Sequence, residues 1–139
     1  LKKDKLTEFH ARHKYIYMSH NPDKARALGH FLGENNTDNL STLFETYLRK
    51  MMGILKERAT KNKHANTLAH IQGYLKKHIG QVDKEELVST IDKYRNGMVP
   101  LIVPITLLKH HFMHHPNEYI TQSYYLNPYP EELMLLNGI

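Results

Sequence analysis

No cysteine occurs in this chain of 139 residues. Within the chain, that excludes disulfides, a thiolate nucleophile, and iron–sulfur or zinc sites built on thiolates. It also fits a cytosolic home. No apolar run approaches the roughly 20 residues needed to span a bilayer. The longest, Pro100 to Leu108, is short and leads into histidines. The Lys-rich start carries no apolar leader segment, so no membrane partner is expected. Leu1 in first position reads as a domain taken from a longer chain. A Gly-rich phosphate loop, a Gly-x-Ser-x-Gly elbow and a paired acidic motif are all missing.

What the chain has is histidine. There are eleven, and they cluster. His10, His13 and His20 lie near the start, His64, His70 and His78 share a middle segment, and His110, His111, His114 and His115 come late. Only His30 stands apart. Histidine changes charge near neutral pH, ligates metals and serves as an acid or base. The formal net charge of +5 favours anionic partners such as nucleotides, phosphates or nucleic acid, although it also serves solubility.

Apolar residues recur at helical spacing almost throughout, without sustained strand alternation, repeats or a low-complexity linker. The fold class expected is therefore all-α: one compact domain over residues 1–139, with about six to seven helices. Asn21-Pro22 reads as an N-cap followed by proline at the first helical position. Gly33 to Asn36 signals a turn. A third helix carries Leu40, Leu43, Phe44, Tyr47, Leu48, Met51 and Leu55, and Thr60 to Lys63 reads as a basic connector. The fourth helix covers about Ala65 to His78 and stops at Gly80. Asp83 and Glu86 resemble a capping box for the fifth, with Leu87, Val88, Ile91 and Tyr94 on its apolar face and Asn96-Gly97 at its end. Pro100 to His115, apolar on all sides at first, is expected to be a buried central helix, kinked by Pro104 or beginning there. A last short helix starts at Glu131.

Several residue groups could carry chemistry. His13 and His20 share a stripe with Leu6, Phe9 and Ile16, so they are expected to face inward, with Arg12 and Lys14 flanking His13. Lys63, Asn66, His70, Tyr74 and Lys77 fall within an arc of about 80° on the fourth helix, away from Leu68, Ile71, Leu75 and Ile79. Such a row suits a phosphate backbone or a base edge, and it also fits an ordinary solvated face. Tyr94-Arg95 offers a stacking face and a forked donor, or a packed ring and a solvated cation. His110 with His114 and His111 with His115 have the spacing of paired metal ligands. The third ligand, the Glu of the zinc-protease pattern and the Glu-x-x-His pairs of di-iron bundles are lacking, so no cofactor is expected.

Arg12-His13-Lys14, Lys63-His64-Ala65-Asn66 with His70, and Gly73-Tyr74-Leu75-Lys76 resemble the YbgA-like family of unknown function. So do Tyr94-Arg95-Asn96-Gly97, the run Pro100 to Leu108 with His110-His111, and the tail through Gln122, Tyr125 to Pro128 and Pro130 to Leu133. The resemblance covers nearly the whole chain. It implies a cytoplasmic bacterial or archaeal protein, found alone or fused to a TudS-like desulfidase domain that removes sulfur from thiouracil with an iron–sulfur cluster. It carries no settled activity. It points to thiolated pyrimidines, or RNA containing them, and to a desulfidase partner. Lacking cysteine, this chain cannot itself hold such a cluster.

The function expected is a binding module for an anionic small molecule or RNA: a nucleobase, a nucleotide or an RNA segment. Arg12, Lys14, Lys63, Lys76, Lys77 and Arg95 would contact phosphate. Tyr74 and Tyr94 would stack, and Asn66 and His70 would read base edges, with His13, His20, His64, His110 and His111 completing the candidate set. The competing readings are an enzyme using His13, His70 or His110 as acid or base, with or without a metal, and a structural docking domain. A convergence of His13, Asn66, His70, Tyr94 and His110 on one pocket would favour a specific small-molecule site.

Overall fold

A computed structural model describes residues 2–35 and 39–128. Among them it contains seven α-helices and no strand: α1 (Lys3–His20), α2 (Pro22–Glu34), α3 (Leu40–Leu55), α4 (Lys61–Gln72), α5 (Gln81–Arg95), α6 (Ile102–His114) and α7 (Glu118–Thr121). A 3-10 turn at Gly73–Leu75 follows α4. The helix expected from Glu131 lies outside the described residues.

Local chemistry sets most boundaries. The Asn21 side chain accepts from the Lys24 amide at 2.9 Å, and Pro22 supplies a fixed φ at the first helical position, so α2 starts there. The other face of the same amide donates to both carboxylate oxygens of Glu57, each at 2.9 Å, which pins the α1–α2 corner to the α3–α4 connection. Asn39 caps α3 in the same way through the Thr42 amide. At the end of α5, Gly97 adopts φ +76°. Its N–H donates to the Tyr94 carbonyl at 3.0 Å, and the Met98 N–H donates to the Lys93 carbonyl at 2.8 Å. These two bonds form the Schellman closure, which needs the left-handed conformation glycine tolerates.

Four expectations are corrected. Thr60 is not connector: its hydroxyl accepts from the Lys63 amide at 3.2 Å, so α4 begins at Lys61. That helix ends at Gln72, where the backbone tightens into the 3-10 turn. The capping box at Asp83 and Glu86 is absent. The N-cap of α5 is Gly80, without a side-chain bond, and Asp83 serves only as an acid in the first turn. Val88 is exposed, although Leu87, Ile91 and Tyr94 are buried as expected.

The fourth correction concerns the centre of the fold. The Pro-containing helix α6 is not central: Ile102 and Val103 face solvent, and only Pro104, Ile105, Leu108 and His111 are buried. Pro104 sits in the first turn, where a missing N–H costs no helical bond, and no kink is needed. The central element is α1. It packs against α2, α3 and α4 and, among the described helices, is the one that contributes to both hydrophobic cores. Tyr15 enters a core built by α4, α5, α6 and residues 120–126. Leu6 and Tyr17 enter a second core built with Ala25, Leu28, Leu32, Leu43, Tyr47 and Ile54. Positions 15 and 17 are about 200° apart around a helix, so their rings point to opposite sides.

Two substitutions test these closures. Asn21→Ala removes a cap and two bonds to Glu57, and is expected to cost about 2 kcal/mol in urea unfolding. Gly97→Ala forces an L side chain to positive φ and brings its Cβ within 3.2 Å of the Lys61 ammonium, for an expected loss of about 1–2 kcal/mol. A loss of only a few tenths in either variant contradicts the closure assigned to it.

Candidate functional site

The candidate residues do not converge on one pocket. They separate into four places, two of which expose chemistry to a ligand.

The first is a pocket of about 390 Å³ between α1 and the segment after α7, lined by Lys5, Glu8, Phe9, Arg12, His13 and Tyr124. Residues 5, 8, 9, 12 and 13 fall on one side of α1 because i+3 and i+4 positions neighbour each other on a helix. Tyr124 arrives from far along the chain: its N–H donates to the Arg12 carbonyl at 2.9 Å. Phe9 and His13 stack with ring centres 4.0 Å apart, and His13 meets the Tyr124 ring edge-on at 5.1 Å. The Arg12 guanidinium lies 5.9 Å from the Tyr124 ring centre and 3.3 Å from the Glu8 carboxylate. Lys5 adds a second cation, 3.7 Å from Glu8. His13 Nδ1 lies 2.7 Å from the Phe9 carbonyl. A carbonyl only accepts, so Nδ1 carries the proton and Nε2 is the basic atom of the neutral ring.

The second place is the seam between α1, α4 and α7. Tyr15 donates to the Tyr74 hydroxyl at 3.1 Å. His70 lies 5.9 Å from the Tyr15 ring and 6.2 Å from that of Tyr74, which stacks on Tyr119 at 6.5 Å. The Lys14 ammonium sits 5.5 Å from the Tyr15 ring centre. Partial burial lowers the His70 pKa, and the neighbouring Lys14 and Arg26 lower it further. Asn66 is exposed one turn before His70 on α4. The expected row breaks beyond them: the 3-10 turn carries Tyr74 to its partner Tyr15, while Lys76 and Lys77 stay exposed. At the start of the row, the Lys63 ammonium donates to the Arg58 carbonyl at 3.0 Å.

The third place is interior. Tyr125, buried, lies 2.6 Å from His64 Nδ1, and Tyr94 is 6.3 Å from the same imidazole. Burial, and to a lesser extent His20, pushes the His64 pKa down to about 4. His20 Nδ1 donates to the Glu57 carbonyl at 2.7 Å. The inward stripe predicted for α1 is rotated: its buried positions are Leu6, Tyr15, Tyr17 and Ser19, while His13 and His20 are half-buried and Phe9 is exposed. Arg95 is on the surface of α5, paired with Asp92 at 2.7 Å, and so is separated from Tyr94, which turns into the core.

The fourth place is α6. His110 lines a groove of about 720 Å³ with Glu86, Lys93, Ile102, Val103 and Leu107. This groove is larger than the α1 pocket and is also lined by Ser89, Thr90 and Thr106, but it has a single cation, Lys93, and no ring besides that of His110. His114 stacks edge-on with His110 at 5.0 Å, His111 is buried with Nε2 lacking a hydrogen-bond partner, and His115 stacks on His78 at 5.6 Å. Three of the late histidines thus stay together, with His110 5.5 Å from His111 and 5.0 Å from His114, while His115 turns to His78. Among the described residues no group of three His, Asp or Glu side chains is placed to hold a metal ion.

The sequence does not mark Lys5, Glu8, Tyr119 or Tyr124 as site residues, and it places Phe9 on the inward stripe of α1 rather than in a site. Helical spacing from Arg12 and His13 points back to Phe9 and Glu8. Nothing local points to Tyr119 or Tyr124. Nor does the sequence mark the buried chain in which Tyr17 lies 3.0 Å from Tyr47, and Tyr47 3.0 Å from His10 Nδ1. That chain is satisfied when Tyr17 donates to Tyr47 and Tyr47 donates to neutral His10. Burial is the main cause that pushes the His10 pKa to about 4, with Lys14 and His13 adding to it.

Comparison with known proteins now places this all-helical domain. The chain belongs to a family described as a protein of unknown function (DUF1722), whose model matches residues 14–130. It is similar to the uncharacterized protein YbgA of Escherichia coli (strain K12). The two are 29% identical over 131 residues, which is 94% of this chain and 78% of that protein. No solved structure matches. Among the described residues, no helix is long and apolar enough to cross a membrane.

Two half-buried imidazoles make stability depend on pH. Both His10 and His64 have folded pKa values near 4 against an ordinary 6.5. Above about pH 6.5 they are neutral in both states, and stability is full. Between 6.5 and 4 the unfolded chain binds protons that the folded chain refuses, so stability falls. With allowance for solvent screening, the expected loss is on the order of 2 kcal/mol per histidine across that window. Urea unfolding at a series of pH values measures it. His64→Gln is expected to flatten part of the fall, and an unchanged slope contradicts the assignment.

Proposed function

We propose that this chain is a binding domain for a nucleotide, seated in the α1 pocket. The observation that carries the proposal is the meeting of three rings, two cations and one carboxylate around a single cavity of about 390 Å³. That volume lies within the range of ordinary small-molecule sites. Phe9, His13 and Tyr124 supply stacking surface for a base, and the Glu8 carboxylate accepts from a base N–H. Arg12 and Lys5 take the phosphate, with Arg12 turning from Glu8 to the stronger anion. A YbgA-like chain beside a TudS-like desulfidase domain in the cytoplasm would make a thiolated pyrimidine nucleotide the fitting ligand. A second reading rests on His13: with Nδ1 committed to the Phe9 carbonyl, Nε2 is available as a general base, which makes the same pocket an acid–base site.

Titration calorimetry with uridine 5′-monophosphate at low salt tests the proposal. Binding is expected to weaken steadily as salt is added. Arg12→Ala is expected to lose about tenfold in affinity, the size of one charge-assisted bond. His110→Ala, in the distant groove, is expected to leave affinity unchanged. Absence of binding at low salt, or equal affinity in the Arg12 variant, overturns the proposal. Consumption of the nucleotide that His13→Gln abolishes favours the acid–base reading.

A further inference from the structure

The seam formed by α1, α4 and α7 is not needed to hold one nucleotide, yet it has the same chemistry as the pocket. His70, Tyr74 and Tyr119 form a run of rings, with Tyr74 stacked on Tyr119 at an interplanar angle of 30°. Tyr119 is 65% exposed, although it sits one residue before the fully buried Ile120. Lys14 stands beside the run, and the charges that perturb His70 are the cations Lys14 and Arg26, with no carboxylate among them. Tyr74 is held by the hydroxyl of Tyr15, so one ring of the run is fixed from beneath. An exposed, pre-set row of rings next to cations is an expensive way to cover a core and a suitable platform for bases.

The two patches are built by the same two pieces of chain. Arg12 and His13 of α1 face the pocket, and the next two residues, Lys14 and Tyr15, belong to the seam. On the facing segment, Tyr119 belongs to the seam and Tyr124 to the pocket. Those tyrosines are five positions apart, so their Cα atoms are at most about 18 Å apart. That is within the reach of one short single strand, whose protein sites span about 4–16 nucleotides.

We propose that the seam continues the pocket, and that the ligand is a single-stranded nucleic acid whose successive bases stack on Tyr124 and His13 and then on Tyr119 and Tyr74. Lys14 neutralises the backbone at the seam, on the side of α1 away from Arg12. The proposal rests on the nucleotide reading of the pocket and adds to it a second subsite and a ligand longer than one nucleotide.

The experiment compares a fluorescein-labelled uridylate oligomer of about eight nucleotides with uridine 5′-monophosphate, by anisotropy and by calorimetry. The oligomer is expected to bind at least tenfold more tightly. Tyr119→Ala is expected to lower oligomer affinity about tenfold and to leave the mononucleotide unchanged. Lys14→Ala is expected to reduce the slope of log affinity against log salt by about 0.7 for the oligomer. An oligomer that binds no more tightly than the mononucleotide overturns the extended surface and leaves the pocket standing. So does a Tyr119 variant that weakens neither ligand or both alike. Failure of both ligands to bind overturns the nucleotide reading and the extended surface together.

Discussion

One helix shared between two cores is the constraint on which the structure depends. Tyr15 and Tyr17 leave α1 on opposite sides, and each is about 1% exposed. A helix buried on two sides cannot rotate to relieve one without opening the other. This fixes the azimuth of the remaining faces. The strip with Lys5, Glu8, Phe9, Arg12 and His13 is therefore presented outward at a set angle, and the pocket inherits its geometry from the packing behind it. The tail segment locks on from outside through the Arg12 carbonyl, bringing Tyr124 over the strip.

The tyrosines that make this arrangement rigid also bring polar atoms indoors. Each hydroxyl finds a partner: Tyr15 with Tyr74, Tyr17 with Tyr47, Tyr125 with His64. A buried hydroxyl without a partner costs far more than a bonded one returns, so the partners fix side-chain positions as well as stabilising them. The histidines fall into two kinds for the same reason. His10 and His64 are half-buried acceptors of tyrosine hydroxyls, kept neutral by desolvation, whereas His13 and His70 stand at the surface beside cations. Their abundance thus reflects two roles, and the fold separates them.

What the sequence reveals depends on the range of the interaction. The Asn21-Pro22 start and the Gly97 stop are legible because a cap acts within a few residues. The register of α1 is less so. Tyrosine buries most of its ring while looking polar, so Tyr15 and Tyr17 do not stand out as core in the sequence, and Leu6, Phe9 and Ile16 present the more apolar stripe. The opposite error affected α6, where an unbroken apolar run suggested a central helix. Its Ile102 and Val103 lie on the surface, since hydrophobic residues are not all inside. Family membership was readable from ordered short motifs along the chain. Within the site, Arg12 and His13 are legible from their own neighbours, whereas Tyr119 and Tyr124 depend on contacts across 45 residues or more, which no local pattern encodes.

The central claim is that the outward strip of α1, together with the segment ending at Tyr124, forms the ligand surface, while the larger groove beside His110 does not. Amide and imidazole NMR shifts recorded during titration with a uridylate oligomer test it most directly. The account predicts perturbations at residues 5–14, 70–74 and 119–124, with α5 and α6 unchanged around Lys93 and His110. Shifts confined to that groove, or no shifts at any position, would contradict it.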